Sequence, residues 1–130
     1  MKNNAKKIAK LLVKFDRIFT ECIEGVQRDT KKAKEKREKK LDRADEIGRK
    51  ALTLSREDIA NGMSDCEERH INCVFRLSDL LIRRGHEDEA EGLLSEIYAD
   101  RKAYVGTLLL TECMGHYGSI LCEGGMYARA

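Results

Sequence analysis

From Asn4 to Val26 the apolar residues Ile8, Leu11, Leu12, Phe15, Ile18, Phe19, Cys22, Ile23 and Val26 return at steps of three and four. On a helix of 3.6 residues per turn they fall on one face, so the spacing predicts a long amphipathic helix. The next stretch, RDTKKAKEKREKKLDRADEIGRKALTL, offers only Ala33, Leu41, Ala44, Ile47, Ala51 and Leu54 as an apolar edge. It predicts either a second long helix with a solvated first half, or a mobile arm that becomes helical near Leu41. Glu35 and Lys39 stand at the i, i+4 spacing that supports such a helix by a few tenths of a kcal/mol.

Two polar pairs then read as helix starts. Ser55 with Asp58, and Ser64 with Glu67, resemble a capping box, in which the hydroxyl accepts from an orphan amide and the acid sits near the positive helix end. Ile71, Val74, Leu77, Leu80 and Leu81 form one stripe, closed by IRRG with Gly85 just past the helix end. Ala90, Leu93, Leu94, Ile97 and Tyr98 describe the next helix. Val105, Leu108, Leu109, Cys113, Tyr117, Ile120 and Leu121 describe the last, which Gly124 and Gly125 end.

Composition fits this pattern. The chain of 130 residues is about one domain, able to bury roughly two-thirds of its unfolded surface around one core. Charged residues reach 37%, which helices tolerate because one stripe can stay apolar while the rest is charged. Proline is absent, and with it the commonest helix breaker and rigid turn former. The expected fold is all-α, an antiparallel helical hairpin array or bundle of five to six helices. One helical domain covers 1–130, with long basic helices or an arm over 1–54 and helical hairpins over 55–130.

The net charge of +2 conceals an uneven distribution. Residues 1–50 hold 17 Lys and Arg against 9 Asp and Glu, a formal +8, which leaves 8 against 14, or −6, for residues 51–130. Such a molecule can turn its basic end to an acidic partner or pair with a second copy of itself, so a homo-oligomer is one expectation. The five cysteines are odd in number and form no disulfide framework, which fits a reducing, cytoplasmic setting. No run of about 18 uncharged apolar residues is present, so no membrane span is expected.

Residues 72–98 resemble one unit of the tetratricopeptide repeat family. Leu77 and the small Ser78, then Leu81, Gly85 at the turn, Ala90, Leu94 and Ile97 match its pattern, while Glu87 departs from it where an aromatic is usual. Tyr117, Gly118, Leu121, Gly125, Tyr127 and Ala130 repeat the first half of the pattern, a degenerate one and a half units over 72–130. A fainter trace lies at Ile47, Gly48, Ala51, Glu57 and Ala60. The resemblance implies a concave partner-binding face carrying Asn72, Phe75, Asp79, Ile82 and Arg83, then Glu112, Ser119 and Glu123. That face lacks the lysine and asparagine pattern with which some members of the family clamp a peptide carboxylate. Small residues at helical spacing also suit an unrelated bundle.

Chemistry adds little. Cys66, His70 and Cys73 share one helix face, and Cys113 with His116 another; between two helices they are zinc-ligand types without the usual pair-loop-pair spacing, and core packing explains them as well. Glu67 and His70 make a single Glu-x-x-His, half of what a di-iron bundle needs. No phosphate loop or nucleotide fingerprint is present. The expectation is a protein that is not an enzyme and needs no cofactor or metal: an interaction or adaptor module with a protein partner. The alternative is a basic helical subunit binding nucleic-acid backbone through residues 28–50, with Lys31, Lys32, Lys34, Lys36, Arg37, Lys39 and Lys40 on phosphates. No aromatic interleaves these lysines to stack on bases.

Overall fold

A computed structural model describes residues 3–24 and 30–123, with the side chains of Glu24 and Glu123 left aside. Five α-helices follow one another, α1 Ala5–Glu24, α2 Lys31–Ala60, α3 Cys66–Arg83, α4 Glu87–Ala99 and α5 Leu110–Glu123, with a 3-10 turn at Arg101–Tyr104 before α5. No strand occurs among the described residues. The tail positions Gly124, Gly125, Tyr127 and Ala130 lie outside the described residues.

Each helix packs against its neighbours in the chain, and α3 also touches α1 and α5. Long-range contacts set the directions. Asn4 at the start of α1 bonds Leu54 and Glu57 near the end of α2, and Glu21 near the end of α1 pairs with Lys40, so α1 and α2 are antiparallel. Ser55 bonds His70 while Arg84 reaches back to Glu38 and Asp42, so α2 and α3 are antiparallel as well. Arg49–Glu89 and Arg56–Glu96 set α2 parallel to α4, each pair 40 residues apart. The helices thus form an antiparallel array, with α1, α3 and α5 in one layer and α2 and α4 in the other.

Ile8, Phe15 and Phe19 of α1, Ala44, Ile47, Ala51 and Leu52 of α2, and the α3 and α4 stripes meet in one cluster. Gly48 lets them approach. A Cβ there would stand 3.1 Å from the Phe15 ring and 3.3 Å from a Leu77 methyl, so α1 and α3 both press on α2 at this point. Two helix ends repeat one device. Gly85 at φ +80° and Gly62 at φ +63° each follow a helix, with amide bonds from His86 to Leu81 and from Met63 to Asp58. Left-handed glycine and a 6→1 bond satisfy the last carbonyls of α3 and α2.

Several expectations change. Ser55 and Asp58 do not start a helix: α2 runs unbroken through them to Ala60, and both are buried in contacts with other helices. Ser64 does not cap α3; the capping position is Asp65 at φ 58°, with no side-chain bond. The segment near Lys31 is helix, capped by Thr30 on the Ala33 amide. The last helix begins at Leu110, because Gly106 at φ +95° breaks the run and leaves Val105 75% and Leu108 83% exposed.

Candidate interaction face

Helical spacing puts Asn72, Phe75, Asp79 and Ile82 on the outer face of α3, opposite buried Leu77 and Leu81. All four are half-buried, because α1 borders the face on one side and α5 on the other. Towards α1, Arg76 binds both carboxylate oxygens of Asp16 at 3.0 to 3.2 Å and donates to the side-chain Oδ1 of Asn72 at 2.8 Å. Arg83 pairs with Asp79 at 3.3 Å and lies 5.8 Å from the centre of the Phe19 ring. Towards α5, Phe75 meets His116 edge-on at 5.3 Å. Glu112 and Ser119 are exposed on α5, on the flank of that helix bearing His116. Asn72, Phe75, Asp79, Ile82, Arg83, Glu112 and Ser119 therefore share one surface, and the Glu123 side chain lies outside the described residues. Asp16 and Arg76 belong to it too, and the buried Phe19 ring lies beneath Arg83. No local pattern marks Asp16 and Arg76 as partners, for they stand 60 residues apart.

Two of the buried polar groups lie where the end of α2 meets the start of α3. Asp58 is 1% exposed, yet its carboxylate accepts from the Asn4 amide at 3.0 Å and from Arg69 at 3.0 Å. One carboxylate thus joins the start of α1, the end of α2 and the start of α3. The second group is His70, whose Nδ1 stands 2.9 Å from the Ser55 Oγ. The Ser55 Oγ also reaches the Leu52 carbonyl at 2.8 Å, and the direction of its bond with His70 is set by the imidazole tautomer. Burial pushes the His70 pKa down to about 4, helped by nearby Arg56 and opposed by Glu96. Burial likewise pushes the Cys73 thiol up to about 11 and the Cys113 thiol up to about 12. Such thiols are protonated at neutral pH and poor nucleophiles.

Of the residues with metal-ligand chemistry, His70 is engaged with Ser55 and His116 meets Phe75 edge-on. Cys66, Cys73 and Cys113 are buried free thiols. The five are not brought together: among the described residues no group of three His, Cys, Asp or Glu could hold a metal ion. No described helix is long and apolar enough to cross a membrane.

The basic run occupies the first turns of α2, with Lys31, Lys32, Lys34, Lys36 and Lys39 exposed and Arg37 and Lys40 half-buried. Lys40 turns to Glu21 of α1 at 3.4 Å. The lysines spread around the helix, and Glu38 among them is taken by Arg84 at 2.9 Å. No family model matches the chain, and neither the curated proteins nor the solved structures contain a match.

Proposed function

We propose that this chain is a non-enzymatic interaction module that seats a protein partner on the outer face of α3 between α1 and α5. The observation that carries the reading is the composition of that face. It offers half-buried Phe75 and Ile82 beside polar Asn72 and Asp79, with further polar atoms on both bordering helices. An aromatic and aliphatic centre within a polar border is what protein interfaces use, the first for affinity and the second for register. The opposite charges of the two halves of the chain orient the partner and raise the encounter rate. A tetratricopeptide-like hairpin is the proposed framework. In support, Leu77, Ser78, Leu81, Ala90, Leu94 and Ile97 are all at most 1% exposed, with Gly85 left-handed at the turn between α3 and α4. Buried free thiols at Cys66, Cys73 and Cys113 suit a reducing compartment.

The test is affinity purification from cells of the source with the wild-type chain and an Asp79→Arg, Ser119→Arg variant. The reading expects one protein in near-stoichiometric amount with the wild type, lost from a variant that melts at the same temperature. Absence of such a protein, or its undiminished retention by the variant, contradicts the reading.

A further inference from the structure

The arginines of this molecule are treated unequally. Arg49, Arg56, Arg69, Arg76, Arg83 and Arg84 each meet a carboxylate, and Arg101 lies 4.4 Å over the Tyr98 ring. Arg17 and Arg43 meet neither a carboxylate nor a ring among the described residues, and both are exposed on the first hairpin. Exposed Lys7, Lys14 and Lys50 are likewise without a carboxylate there, as are exposed Lys6 and Lys10 of α1 and the lysines that open α2 apart from Lys40.

Their placement follows from two contacts. Lys7, Lys14 and Glu21 recur every seven residues, so the two lysines share the edge of α1 from which Glu21 reaches Lys40 of α2. Arg43, Lys50 and Glu57 recur in the same way, so these cations share the edge of α2 from which Glu57 accepts from Asn4 of α1. In the antiparallel register four cations line the α1–α2 seam from both sides, each pair about 10 Å apart along its helix. Leu11 and Ile18, half-buried, are packed against the core beneath it. Glu21 and Glu57 are engaged at the two ends, and Glu46 is the exposed carboxylate between Arg43 and Lys50 on the same helix.

The seam therefore presents four exposed cations with Glu46 as the one exposed carboxylate between two of them, open to an outside anion. The seam carries no aromatic or exposed apolar anchor, which a protein interface core would have. It carries no apolar wedge of the kind that enters a lipid headgroup layer. Without an aromatic it gives single-stranded bases nothing to stack on. A regular row of point charges instead suits phosphates held in a fixed repeat. We infer that the α1–α2 seam binds the phosphate backbone of duplex nucleic acid, without reading bases, through Lys7, Lys14, Arg43 and Lys50. The site is distinct from the protein-binding face on α3 and from the lysine run at the start of α2.

Fluorescence anisotropy of a labelled short duplex tests this with two variants, both verified by circular dichroism and melting. For four phosphate contacts, wild-type affinity falls about a hundredfold between about 50 and about 200 mM salt. The Lys7→Gln, Lys14→Gln, Arg43→Gln, Lys50→Gln variant loses most low-salt binding and most of the salt slope. A Lys31→Gln, Lys34→Gln variant, whose lysines lie off that edge of α2, keeps the slope within about one contact. Three results overturn the inference: no duplex binding by the wild type at low salt, loss confined to the second variant, or binding to phosphatidylserine and phosphatidylcholine vesicles but not to duplex.

Discussion

His70 shows how far one side chain departs from what its neighbours in sequence suggest. In CEERHINC it reads as a metal ligand or core residue; in the fold it is a buried partner of Ser55, kept uncharged at neutral pH by burial. Its folded pKa of about 4 lies below the value of 6.5 for an exposed histidine. As pH falls below about 6.5 the unfolded chain takes up a proton that the folded chain refuses. Stability from this group is therefore full above pH 6.5 and is lost as pH falls towards 4, about 3 kcal/mol in all. Urea denaturation at pH 7 and near pH 4.5 checks it, with a His70→Gln variant expected to lose roughly 2 kcal/mol less over that interval. An equal loss in both proteins places the acid sensitivity elsewhere. Asp58 is a related case. Its pairing with Ser55 looked like a local cap, but both residues turn inward to distant partners, and three-residue spacing carries no sign of that.

At the scale of elements, α1, α3 and α4 were legible because their apolar residues keep helical period and most face the core, Ile23 and Tyr98 being the exposed members. The start of α2 was ambiguous for a physical reason: between Lys31 and Lys40 no side chain is buried, so no stripe distinguishes helix from arm. The beginning of α5 was misjudged because Val105 and Leu108 fit the period yet point to solvent. Glycine shows which helix contacts are tight. Gly92, exposed in α4, has no neighbour within 4 Å of a Cβ, whereas Gly48 has Phe15 and Leu77 at 3.1 and 3.3 Å. Alanine gains up to about 1 kcal/mol of helix propensity at either site. At Gly48 the fully buried Phe15 ring and Leu77 have to give way, which costs about 1 to 3 kcal/mol. Thermal or urea unfolding should find Gly92→Ala stabilised by about 0.5 to 1 kcal/mol and Gly48→Ala destabilised by about 1 kcal/mol. Stabilisation at Gly48 would mean that α1 and α3 do not meet there as described.

For the whole molecule, the array leaves two different surfaces. The α3 face, bordered by α1 and α5, mixes aromatic, aliphatic and polar groups, while the α1–α2 seam is a row of cations. The candidate face was legible in part: the spacing of Asn72, Phe75, Asp79 and Ile82 puts them on one side of a helix, but the contributions of Asp16, Phe19 and Arg76 depend on a crossing between α1 and α3 that no local pattern encodes. Two surfaces of unlike chemistry suit a chain that brings a protein partner and an anionic one together. The central claim is that a protein partner occupies the α3 face. Photo-crosslinking from single sites in cells tests it most directly, with the reactive group placed at Asp79 or Ser119 and, as control, at exposed Thr53 on α2. A partner on the α3 face gives one discrete protein adduct from Asp79 and Ser119 and none from Thr53; no adduct from the first two, or the same adducts from all three, rules that partner site out.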